Sequence, residues 1–105
     1  MCFVGCNDHN GHKILLARTD SLLQNRPDSA LKLLNSIEKD VGFSEAEWMK
    51  FVWNCAQARY RMGMSLVEDS LLPGAIHYYR EQKDSSRMLD SYLLEASYYK
   101  WIKQE

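Results

Sequence analysis

Proline is nearly absent from this sequence: Pro27 and Pro73 are the two in 105 residues, and both stand where a helix can begin. Long apolar runs are also missing. None approaches the roughly 18 residues that a membrane-spanning helix requires, which excludes such a helix within this sequence. Charge of one sign is never concentrated, since 13 basic and 14 acidic side chains give a net charge of −1. Without a basic stripe to track a phosphate backbone, nucleic acid is excluded as the primary ligand. The five glycines stand apart from one another, so no glycine-rich turn is available to cradle a nucleotide phosphate. The cysteines, Cys2, Cys6 and Cys55, are odd in number and do not suggest a disulfide framework.

What remains is the composition of a folded domain. Apolar residues make up 46% and charged residues 26% of the chain, and a chain of this length buries roughly two-thirds of its unfolded surface around one core. Cys55 falls in an apolar helical stretch and reads as a small buried hydrophobe. His77 has no Glu or His at the spacing a helical metal site needs. Nothing near Cys55 activates it toward His77 as a base. No catalytic, cofactor-binding or metal-binding residue is therefore assigned, no cofactor is expected, and the chain is not read as an enzyme.

Residues 1–12 read as a flexible N-terminal segment ahead of a helical domain at 13–105. Within that segment Phe3-Val4-Gly5-Cys6 resembles the end of a bacterial lipoprotein signal, in which Cys6 would carry the lipid, although only five residues precede it where a full signal needs a basic leader and a longer apolar stretch. The resemblance implies a bacterial cell envelope location, with the lipid as the sole membrane attachment; without it the cytoplasm is expected. Cys2, Cys6, His9 and His12 also offer four zinc-ligand side chains, but the pairs are nearly contiguous and leave little chain to wrap a metal tetrahedrally.

From Lys13 the spacing predicts five helices. Leu15 with Leu22, and Leu16 with Leu23, repeat on one face of the first, over 13–25. Pro27 and Asp28 open a second that runs to about Lys39 and buries Ala30, Leu33, Leu34 and Ile37. Ser44 and Glu47 form a capping box for the third, with Phe43 and Trp48 placed as a hydrophobic staple. That helix runs to about Met62, where Gly63 suits the left-handed cap. Its apolar residues cover two sides: Trp48, Phe51, Val52 and Cys55 on one, Met49, Trp53, Ala56 and Tyr60 on the other. A helix apolar on both sides belongs in a middle layer. A fourth helix starts near Ser70 and Pro73, with Ala75, Ile76 and Tyr79 inward, and ends near Lys83. The fifth starts near Ser86 and is expected to turn Leu89, Tyr92, Leu93, Ala96 and Tyr99 toward the core.

Ala30 with Leu34, and Ala75 with Tyr79, each place a small residue one helical turn before a large one. Ala56 and Ala96 add small residues on the preceding helices, and Tyr99 follows Ala96 by three positions. This pattern resembles the tetratricopeptide repeat. The spacing of Ala30 from Ala75, and of Ala56 from Ala96, exceeds the family period of about 34 residues. It is similar in this to divergent repeats of bacterial envelope lipoproteins and regulators. The resemblance implies an all-α fold of antiparallel hairpins stacked as a short solenoid. It also implies a non-enzymatic surface that binds a protein or peptide. With Ala56 and Ala96 as register, the groove is expected to display Lys50, Trp53, Gln57, Tyr60, Arg61, Lys100 and Trp101. Aromatic and arginine side chains commonly dominate such interfaces. An alternative is a sensory or structural fragment of a longer envelope-anchored or signalling chain. Trp101 and Ile102 near the end of the fifth helix further suggest self-association through that helix.

Overall fold

The computed structural model describes the backbone of residues 3–37 and 42–104 and the side chains of residues 13–37 and 42–103. Five α-helices follow one another: α1 (Phe3–Leu22), α2 (Pro27–Asn35), α3 (Glu45–Arg61), α4 (Leu72–Glu81) and α5 (Met88–Gln104), with a short 3-10 turn at Ser85–Arg87 leading into α5. Among the described residues there is no strand. Helices α1 and α2 pack as one hairpin and α3 and α4 as the next; α3 also contacts α1, α2 and α5. The molecule is an all-α stack with α3 at its centre.

Local chemistry explains where the helices begin and end. Ser44 Oγ accepts the Glu47 amide proton at 3.2 Å, and Glu47 Oε1 accepts from the Ser44 amide at 2.8 Å. This reciprocal box satisfies two donors that an uncapped helix leaves open. Phe43 packs on Trp48 with ring centroids 6.0 Å apart, fixing the angle at which the chain enters α3. At the other end Gly63 takes φ +71°, its amide donates to the Tyr60 carbonyl, and the Met64 amide donates to the Arg59 carbonyl. That is a Schellman closure. Helix α4 ends in the same hydrogen-bond pattern, with the Asp84 amide on the Tyr79 carbonyl, but the residue with positive φ is Lys83, at +55°.

Two boundaries differ from the sequence expectation. Helix α2 stops at Asn35, about a turn before Lys39; Ser36 Oγ donates to the Leu33 carbonyl at 2.6 Å, taking an acceptor the next turn would use. Helix α1 starts at Phe3, ahead of the expected helix start at Lys13. No proline occurs in that stretch, and extending an existing helix adds one hydrogen bond per residue fixed. The side chains of Cys2, Cys6, His9 and His12, and with them the lipidation and zinc arguments, lie outside the described residues.

The core divides along the two sides of α3. Leu16 of α1, Leu34 and Ile37 of the α2 end, and Phe51 and Cys55 of α3 form one cluster, with Trp48 stacked on Phe51 at 5.7 Å. On the opposite side Trp53 and Ala56 meet Leu66, Leu72, Ile76, Tyr79, Leu94 and Tyr98. All eight residues from Phe51 to Ala58 are buried, as a helix covered on both sides requires. Ala30, Ala56 and Ala75 are wholly buried, so a larger side chain at any of them would push helices apart.

Helix α5 presents a different face from the expected one. Its buried residues are Ser91, Leu94 and Tyr98, with Trp101 half-buried against the same cluster. Leu89, Tyr92, Leu93, Ala96 and Tyr99, expected inside, are exposed. Both sets repeat at helical spacing, so periodicity alone could not choose between them. Ala96 therefore does not mediate a close helix approach within this chain.

Candidate functional site

A cleft of about 240 Å³ opens between the C-terminal end of α1, the middle of α3, and the start of α5. Leu23 and Trp53 form its apolar wall, while Asp20, Gln24, Asn54, Gln57, Arg61, Arg87 and Asp90 bring polar groups to it. Three of the expected groove residues, Trp53, Gln57 and Arg61, line it together, because positions four apart on α3 fall on one face.

The cleft floor is a hydrogen-bonded seam between α1 and α3. Thr19 Oγ1 donates to the Leu16 carbonyl at 2.7 Å and accepts from Asn54 Nδ2 at 3.0 Å. The same Asn54 amide donates to Asp20 Oδ1 at 2.9 Å, and Lys50 holds the other Asp20 oxygen at 2.5 Å. Thr19 and Asn54 are completely buried in this seam. Gln57 reaches across to α5, its Nε2 lying 3.4 Å from Asp90 Oδ2. The carbonyl oxygens Asn54 Oδ1 and Gln57 Oε1 are buried and meet no hydrogen-bond donor among the described residues. A buried acceptor without a donor costs roughly 1–3 kcal/mol; Asp69 Oδ2, away from this cleft, is in the same position.

The α5 side of the cleft is organised by Arg87. Its guanidinium pairs with Asp84 at 2.7 Å and lies over the Tyr79 ring, 4.4 Å from the centroid, and near that of Trp53 at 5.7 Å. Trp53 in turn meets Tyr79 edge-on at 5.3 Å. Burial pushes the Tyr79 phenol above its usual pKa, and the Arg87 charge opposes that rise. Ser86 and Arg87 hydrogen bonds hold the Asp84 carboxyl below the usual aspartate range. Arg87 is thus fixed as part of the wall. Arg61, exposed at the end of α3, remains the cation at the rim.

The other expected groove residues are elsewhere. Tyr60 and Trp101 pack against the second core cluster, and Lys100 is exposed on α5 away from the cleft. Lys50 is near the floor but engaged with Asp20. Trp53 is itself almost wholly buried and serves the core as much as the cleft. Conversely, Asn54, Asp20, Arg87 and Asp90 were not singled out from the sequence. An asparagine in a run of apolar helix residues was the available sign.

His77 is exposed on α4, whereas Cys55 lies in the cluster built from α1, α2 and α3, so the two are not brought together. Among the described residues no three His, Cys, Asp or Glu side chains gather to hold a metal ion. No described helix is long and apolar enough to cross a membrane. Comparison of the sequence with protein-family models, curated proteins and solved structures finds no match.

Proposed function

We propose that this chain is a tetratricopeptide-like interaction module that holds an extended peptide of a partner protein in the α1–α3–α5 cleft. The observation that carries this reading is a cleft between three helices with an apolar wall of Trp53 and Leu23, polar side chains of Gln24 and Asp90 along it, and Arg61 exposed at its rim. Backbone N–H and C=O groups of an extended peptide suit a polar lining of this kind, and a peptide supplies them regardless of its sequence. Selectivity would come from Trp53 and Leu23 against an apolar side chain and from Arg61 against a carboxylate. The whole cleft carries two acidic and two basic side chains, so a strongly charged ligand gains little from it.

Selection of linear peptides from a random display library, followed by affinity measurement on the wild type and two variants, tests the reading. Gln57→Ala is expected to weaken selected peptides by roughly tenfold, the worth of one buried hydrogen bond. Arg61→Glu, at an exposed position, should weaken those that carry an acidic residue while leaving the helical circular dichroism unchanged. Enrichment of no peptide, or of peptides indifferent to both changes, would count against the cleft.

A further inference from the structure

Helix α5 is apolar on two opposite sides, and one of them is uncovered. Leu94, Tyr98 and Trp101 face α3 and α4, while Leu89 is 70% and Tyr92 58% exposed, with Met88, Leu93, Tyr99 and Ile102 also exposed. Helix α3 supplies the comparison within the molecule: it is apolar on two sides, and both are buried. A helix of this kind is normally enclosed. Six large apolar side chains at these exposures present on the order of 600 Å², at the top of the range for the largest patch on a monomer and about three-quarters of the roughly 800 Å² per partner of a standard interface.

We infer that a second copy of the chain covers this face, the two α5 helices crossing antiparallel about a two-fold axis at Ala96. Residues 89, 92, 96, 99 and 103 recur every three or four positions, with Leu93 beside Tyr92, so they form one stripe along the helix. Ala96 is its midpoint, and a small side chain there lets two helix backbones approach. The stripe is self-complementary under that rotation: Leu93 of each copy meets Tyr99 of the other, and Leu89 meets the stem of Lys103. A two-fold interface requires this kind of match of one patch with itself. Charge agrees with that direction. Asp90 is turned to Gln57 on the cleft side, but Glu95 borders the stripe just before its midpoint, and Lys100 and Lys103 follow it. Antiparallel pairing sets each Glu95 beside the lysine half of the other copy; parallel pairing would align Lys100 with Lys100 and Lys103 with Lys103. Arg80, bound to Glu95 at 2.8 Å and lying over the Tyr92 ring at 5.4 Å, holds the edge of the stripe in place.

Light scattering across a concentration series reads the outcome on the intact chain. The expected mass is twice 12.3 kDa at micromolar concentration, falling to the single-chain mass for Leu93→Glu, whose exposed position leaves the helical spectrum unchanged. Cross-linking fixes the geometry. With Cys2→Ser and Cys6→Ser as background, Ala96→Cys should oxidise to a covalent dimer while Leu89→Cys should not, because antiparallel pairing separates the two copies of residue 89 by about 20 Å. A single-chain mass for the wild type up to high concentration overturns the inference, leaving the face to a different partner. A dimer indifferent to Leu93→Glu, or one cross-linked at residue 89 in preference to 96, overturns it equally.

Discussion

Lys83 illustrates how a single residue can carry strain that the surrounding hydrogen bonds compensate. Its φ of +55° lies in the region that side chains with a Cβ disfavour, yet it closes α4 as Gly63 closes α3. Replacing it with glycine removes that penalty without touching a buried contact, so Lys83→Gly is expected to raise stability by about 0.5–1 kcal/mol in chemical denaturation. A loss of stability would mean that the lysine side chain contributes more than its backbone costs. Asp69 is a second such residue. It is buried and paired with Arg59 across the α3–α4 connection. Burial raises its pKa above the ordinary 3.8, and the Arg59 charge and hydrogen bond offset part of the rise. The folded state then binds a proton more readily than the unfolded one. Stability from this residue is present below pH 3.8 and declines as pH rises through the raised value. An NMR titration of the Asp69 carboxyl should find it above 3.8, and higher still in Arg59→Ala; a value at or below 3.8 would show the ion pair outweighing desolvation.

At the scale of elements, boundaries written in local chemistry were legible and the choice of face was not. Ser44, Glu47, Phe43, Trp48 and Gly63 act on backbone groups within a few residues, so their sequence spacing already contains their structural role. Ser44→Ala is expected to cost about 1 kcal/mol, with the denaturant slope unchanged because the core stays intact. A change under about 0.3 kcal/mol would show that the Phe43–Trp48 contact suffices to start α3. Helix α5 shows the opposite situation. Leu89, Tyr92, Leu93, Ala96 and Tyr99 make as regular a stripe as Ser91, Leu94, Tyr98 and Trp101, and only packing against α3 and α4 decides between them. Anchoring the register on Ala96 carried Lys100 and Trp101 into the expected groove, where the structure does not place them. On α3, whose two faces are both buried, the same reasoning placed Trp53, Gln57 and Arg61 together at the cleft.

For the whole molecule, the arrangement puts its strongest packing and its candidate binding surface on one helix. The buried run from Phe51 to Ala58 holds two core clusters apart and contributes Asn54 and Gln57 to the cleft between α1 and α5. The all-α stack followed from helical periodicity and turn chemistry, both of which are local. The cleft depends on residues distant in sequence, Asp20, Asn54 and Asp90, meeting through helix packing, so no spacing along the chain announces it. The measurement that tests its role most directly is an amide-resolved NMR map of the protein titrated with a display-selected peptide. The account predicts shifts concentrated at Asp20, Gln24, Trp53, Asn54, Gln57 and Arg61, including the side-chain amides of Asn54 and Gln57. Shifts confined to the outer surfaces of α2 and α4, with those two amides unmoved, would contradict it.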